Sequence, residues 1–152
     1  MAGTLYLCAT PIGNLDDMTL RVLKLLETAD IIAAEDTRNT LKLLNHFEIK
    51  TPMTSYHEHN KAEKGPKLVE RLLAGENIAL VTDAGMPGIS DPGADLVKLC
   101  YEAGVPVTVA PGASAAVVAL VLSGLDTRRF AFEGFLPMEK KERRAGLSTL
   151  EK

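Results

Sequence analysis

The chain has 152 residues, 46% of them hydrophobic, with four Phe, three Tyr and no Trp, which suffices for one domain with an aliphatic core and is too little for two. A formal net charge of −3 gives no bulk electrostatic case for nucleic-acid binding, although a local basic face fits within such a balance. Cys8 and Cys100 fall in separate apolar segments and read as reduced core thiols of a cytoplasmic protein; no signal peptide is evident, and the longest apolar stretch, 113–122, is too short to cross a bilayer.

In chain order, short apolar runs alternate with amphipathic stretches. Strands are predicted at 4–9, 31–34, 53–56, 78–82 and 106–109, and helices at 19–29, 38–46, 61–73, 94–103 and 114–123, the last stopped by Gly124. Such alternation predicts an α/β fold, a five-stranded parallel sheet with helices on both faces. After Gly124 the pattern changes. Residues 125–129 read as a linker, 130–136 as a strand carrying three of the four Phe, and 139–152 as a charged helix. A strand and a helix cannot bury those aromatics alone, so 1–124 is expected to be one domain and 130–152 the opening of a second. The alternative is a tail packed back on the first domain or on a partner chain.

The most informative segment is Val81 to Gly93, VTDAGMPGISDPG. A buried strand breaks there into a loop holding Gly85, Gly88, Gly93, Pro87 and Pro92, in which Gly permits close approaches and Pro fixes the path. Asp91 is placed to cap the next helix, with Pro92 at its first position. Parallel sheets bind ligands at the carboxyl ends of their strands, and the predicted loops on that side carry TPIGN, EDTR, HEHN, the 83–93 loop and PGAS, whereas the opposite side has ordinary turns.

The dinucleotide fingerprint and the P-loop are both missing, and no loop concentrates Lys or Arg, so a zwitterionic or modestly charged ligand suits this face better than a triphosphate. Asp83 can accept from an ammonium or a ribose, and the amino end of the helix at Ser114 and Ala115 can receive a carboxylate or carbonyl. Beside this stands a plainer account. Asp83 would close a turn, and the small residues would let a helix sit close to the sheet.

Taken together, TPIGNL at 10–15, AEDTR at 34–38, the 81–93 loop, PGASAA at 111–116 and EGFLP at 133–137 resemble, in order and spacing, the small-subunit ribosomal RNA cytidine 2′-O-methyltransferases of the tetrapyrrole methylase superfamily. The resemblance implies a two-domain α/β enzyme, usually a homodimer, binding S-adenosylmethionine in the cleft between its domains. It implies methylation of a cytidine ribose 2′-hydroxyl in small-subunit ribosomal RNA, with that RNA or an immature small ribosomal subunit as partner and no membrane involved. By that likeness Asp83, Gly85, Met86, Ile89 and Ser90, together with Ser114 and Ala115, hold the cofactor, with Pro11 beneath it. Members of the family continue well past residue 152, and their second domain supplies the other wall of the cleft.

Attack by a ribose oxygen on a sulfonium methyl gains from alignment and from a base. His57, Glu58, His59, Glu35 and Asp36 are the titratable groups on the predicted face, and Arg38 can grip a phosphate or pair with an acid. Each carboxylate has a structural alternative, helix capping for Asp36 and loop hydrogen bonding for Glu58. His57 and His59 lack a nearby Cys to complete a metal set, and no metal is expected. Arg128, Arg129, Lys140, Lys141, Arg143 and Arg144 are the main basic concentration and a second candidate for RNA contact, or else a solvated helix. Two other functions remain open: a methylase acting on a small tetrapyrrole, and a non-catalytic ligand-binding module.

Overall fold

The computed structural model describes residues 1–151. Its strands are β1 (Leu5–Cys8), β2 (Ile31–Ala34), β3 (Met53–Ser55), β4 (Ile78–Val81) and β5 (Val107–Ala110), and its helices α1 (Leu20–Thr28), α2 (Thr37–His46), α3 (Lys61–Leu73), α4 (Gly93–Glu102), α5 (Ala115–Leu122) and α6 (Lys140–Leu150). All pairings are parallel, in the order β3-β2-β4-β1-β5. The expected five-stranded parallel sheet is therefore present.

Alternation along each strand divides the core in two. Leu5, Leu7, Ile31, Ala33, Ile78 and Leu80 face α3 and α4, where Leu68, Leu72, Leu96 and Cys100 meet them. Cys8, Ile32, Ala34, Ala79 and Val81 face the other way, toward Val22 and Leu26 of α1 and Leu44 of α2. Helices thus cover both faces. The inner strands β2 and β4 are buried throughout, so their sequences IIAA and IALV need no polar alternation. Both cysteines are buried and unpaired in disulfides.

Helix starts follow local chemistry. Thr19 Oγ1 accepts from the Val22 amide at 3.1 Å, and Asp36 Oδ1 accepts from the amides of Arg38 and Asn39 at 2.9 and 3.3 Å. The cap expected from Asp91 falls one residue outside the helix. Pro92 already has a helical backbone, and Asp91 Oδ1 accepts from the Gly93 amide at 2.8 Å. A short 3-10 turn at Leu15–Asp17, closed by Asn14, interrupts the loop after β1 where the sequence suggested only loop.

The tail departs further from expectation. The strand anticipated at 130–136 is absent, since no neighbouring strand offers that segment a hydrogen-bonding edge. Phe130, Phe132 and Phe135 are exposed, and α6 buries no residue. The predicted end of that helix, Lys152, lies outside the described residues. Helix α5 is entirely apolar in sequence and has no buried residue either.

Candidate functional site

The crossover leaving β1 runs through α1 on one face of the sheet, whereas the crossover leaving β4 runs through α4 on the other. Because β1 and β4 are neighbours, their following loops part at the centre of the sheet and open a crevice at its carboxyl edge. A reciprocal pair of backbone hydrogen bonds spans this crevice. The Thr10 amide donates to the Gly85 carbonyl at 3.1 Å, and the Gly85 amide donates to the Thr10 carbonyl at 3.0 Å.

The loop after β4 is held in shape by its own side chains and glycines. Asp91 Oδ2 accepts from the Gly88 amide at 2.8 Å while Oδ1 accepts from Gly93, so one carboxylate closes the loop and starts the helix. Gly85 has φ +78 and Gly88 φ +93, conformations that L side chains rarely adopt. A Cβ on Gly85 would also meet Ile12 Cγ2 at 3.2 Å and the Ala113 carbonyl at 3.3 Å. Ser90 takes φ 57, a strained conformation for a residue that is not glycine. Behind the loop, the buried Tyr56 hydroxyl donates to the Pro92 carbonyl at 3.0 Å and ties the end of β3 to the start of α4.

Two clefts open along this edge. One, of about 510 Å³, is walled by Gly85, Met86, Ile89 and Ser90 from the β4 loop, by Ser114, Ala115 and Leu120 at α5, and by Phe130, Phe132 and Phe135 from the tail. It brings together six of the residues singled out in the sequence. The other, of about 330 Å³, is lined by Pro11, Thr82 and Asp83 at its base and by Asn39, Lys42 and His46 of α2 along its side. Pro11 and Asp83 therefore belong to this second cleft, which adjoins the first where Asp83 passes to Ala84.

The five suggested acid–base groups come from the loops after β2 and β3, which are neighbouring strands. Glu35 is half-buried, and its carboxyl is held above the usual carboxylate range by desolvation, then by the negative charges of Asp83, Asp91 and Asp36. Asp36 is occupied in capping α2, with the exposed Arg38 guanidinium 3.9 Å away. Glu58 pairs with Lys61 at 2.7 Å, and Lys61 also reaches Asp95 at 2.7 Å, a cluster beside a third hollow between α3 and α4. The His57 amide donates to Asn60 Oδ1, and its ring Nδ1 accepts from the His59 amide. Glu35 has Asp83, Asp91 and Asp36 as charged neighbours, whereas Glu58 pairs with Lys61 at the start of α3, and the pairing of Ala34 with Ser55 sets the loops that carry Glu35 and His57 side by side. In the tail, Arg128 is paired with Asp126 and Arg143 donates to the Met138 carbonyl.

Several lining residues escaped the sequence reading. Asn39, Lys42 and His46 carry a signal in their helical spacing, since i, i+3 and i+7 fall on one face of α2. The aromatics of the tail line the larger cleft, where the sequence suggested a missing sheet. Thr10 is 2% exposed, and its Oγ1 has no hydrogen-bond partner among the described residues.

Comparison with known proteins supplies a context for this geometry. The ribosomal RNA small subunit methyltransferase I of Halalkalibacterium halodurans is 59% identical over 145 residues, covering 95% of this chain and 50% of that protein. Its counterpart from Synechocystis sp. is 57% identical over 148 residues, covering 97% of this chain and 53% of that protein. The chain thus spans about half the length of the curated relatives it matches. The crystal structure of uroporphyrin-III C-methyltransferase from Thermus thermophilus shares the fold, with a TM-score of 0.61 and 24% identity over 84% of this chain and 54% of that one. The family model for tetrapyrrole (corrin/porphyrin) methylases matches residues 4–152, and the chain belongs to that family.

Proposed function

We propose that the chain forms the cofactor-binding part of an S-adenosylmethionine-dependent methyltransferase that modifies a cytidine ribose 2′-hydroxyl in small-subunit ribosomal RNA. The observation that carries this reading is the larger cleft, where six residues of two separate motifs converge between the β4 loop and the start of α5. Its walls suit the cofactor. Met86, Ile89 and Leu120 offer apolar surface, and Ser90 and Ser114 offer hydroxyls. Asp83, at the junction with the second cleft, is suited to accept from an amino group or a ribose hydroxyl, and Pro11 stands beside it.

When bound, S-adenosylmethionine supplies an electrophilic methyl group. The residues of this chain orient the acceptor and take its proton. Glu35 is the proposed base, because burial and neighbouring carboxylates raise its proton affinity, whereas Asp36 and Glu58 are committed to structural partners. The names of the relatives favour ribosomal RNA over a small tetrapyrrole as acceptor. Action on ribosomal RNA would place the protein in the cytoplasm. A homodimer is also proposed, supported by the apolar, exposed α5. No helix among the described residues is long and apolar enough to cross a membrane.

Calorimetric titration with S-adenosylmethionine, followed by transfer of labelled methyl to immature small ribosomal subunits or to a tetrapyrrole, tests the proposal. Saturable binding and label on ribosomal RNA support it. Label on the tetrapyrrole alone overturns the choice of acceptor, and no binding overturns the cofactor assignment. Asp83→Ala is expected to weaken cofactor binding by about 1–3 kcal/mol.

A further inference from the structure

The second cleft has a different chemistry from the first. Its base is formed by Pro11, Gly13, Thr82 and Asp83, and its side by α2, from which Asn39, Lys42, Leu43 and His46 project along one face. Lys42 and His46 are exposed, and neither has an ion-pair partner among the described residues. The His46 ring is fixed edge-to-face on Phe47, with centroids 4.8 Å apart. Arg38 lies one turn before Lys42, its guanidinium almost fully exposed. Residues 38, 42 and 46 therefore form a stripe with a rise of about 6 Å per step, close to the separation of successive phosphates along a single RNA strand.

Each group matches one part of a ribonucleotide. A flexible ammonium suits a phosphate, an exposed imidazole held by a neighbouring ring suits stacking on a base, and a side-chain amide can read a base edge or a 2′-hydroxyl. Thr82, buried at the edge of the cleft, carries a hydroxyl that can exchange a hydrogen bond with a ribose hydroxyl. A rigid duplex would not fit a hollow of about 330 Å³, whereas one splayed nucleotide would. The reciprocal Thr10–Gly85 pair lies at the crevice between the β1 and β4 loops, whose residues divide between the two clefts.

We propose that the cleft between the β1 loop and α2 is the acceptor site for one unstacked nucleotide of single-stranded RNA, with Arg38 and Lys42 on the flanking phosphates and His46 stacked on a base. This rests on the reading of the chain as an RNA methyltransferase and adds where the strand lies. The charged tail around Lys140 and Lys141 is the competing surface, but α6 buries nothing.

The test is fluorescence anisotropy of a labelled single-stranded RNA dodecamer against the unsubstituted chain, Lys42→Ala, His46→Ala and the pair Lys140→Ala with Lys141→Ala, over a range of salt. S-adenosylmethionine titration is run on each. Lys42→Ala should weaken RNA binding several-fold and flatten the dependence of log K on log salt by about 0.7, the contribution of one phosphate on a single strand. His46→Ala should weaken binding several-fold with little change in that slope, and His46→Phe should restore it. Cofactor affinity should be unchanged in all of them. Absence of RNA binding by the unsubstituted chain at low salt, or loss confined to the tail pair, overturns the proposal. Loss of cofactor binding in Lys42→Ala would assign this cleft to the cofactor and likewise overturn it. Cofactor binding is read separately, so the methyltransferase reading can stand when the strand assignment fails.

Discussion

Replacing Asp91 by Ala tests whether one carboxylate sets the shape of the loop after β4. Its two oxygens each accept an amide at 2.8 Å, one from Gly88 within the loop and one from Gly93 at the start of α4. Both bonds are charge-assisted and partly buried, and an ionised acceptor contributes about 1.5–3 kcal/mol per bond at full burial. Discounting for partial exposure leaves about 2–3 kcal/mol for the pair, which lowers Tm by roughly 5–10 °C in a domain of this size. The substitution also frees Gly88 to leave its φ of +93, so cofactor affinity should fall with stability. Asp91→Asn keeps one acceptor and presents an amino group to the other amide, and should recover no more than half the loss. Differential scanning fluorimetry and calorimetric titration measure the two effects. A Tm for Asp91→Ala within about 1 °C of the parent would refute the claim that this carboxylate holds the loop.

Tyr56→Phe leaves the ring in the core and the Pro92 carbonyl without its buried donor, and should cost about 1–2 kcal/mol in urea unfolding with an unchanged m-value. Glu35→Gln should stabilise the protein at neutral pH. The folded-state pKa of Glu35 is raised, so the native state binds its proton more readily than the unfolded chain, and stability is lost as pH rises through the folded value. The advantage of the variant should vanish below the unfolded value of about 4.5, and a difference that persists there in thermal melts would count against this account. Burial pushes the Cys8 thiol up to about 12 and the Cys100 thiol up to about 11, so neither should react with a thiol reagent at pH 8 until the chain unfolds.

The core was legible in the sequence because its period is strict. Runs such as IALV and IIAA could only be interior parallel strands once they alternated with amphipathic helices, and the α3 prediction at 61–73 matches the structure to the residue. The order of the strands was not legible, since it depends on which crossover passes over which neighbour. The loop after β4 was recognisable from its glycines and prolines, but its closure by Tyr56 was not. That bond joins residues 36 apart, and no local pattern announces it. The error at 130–136 has a definite physical origin. Alternating aromatics satisfy the pattern of a strand, but a strand exists only when another backbone accepts its hydrogen bonds, and none does here. The site was half visible for a related reason: glycine-rich loops advertise themselves, whereas the α2 face is assembled from ordinary helical residues.

The sheet order has a consequence for how the chain reaches its fold. β4 is the fourth strand to leave the ribosome, yet it takes the centre of the sheet, between β1 and β2. Until Ile78 to Val81 has been made, β1 and β2 have no shared partner, and the register of Leu5 with Ile78 must wait for the 72 residues between them. The early half of the nascent chain can form helices and the β2–β3 pair, but it cannot close a hydrophobic interior. Assembly is thus gated by a late central strand, and the segment that completes the sheet is the same one whose continuation, from Thr82 to Gly93, shapes the cleft. Folding and formation of the binding corner become a single event.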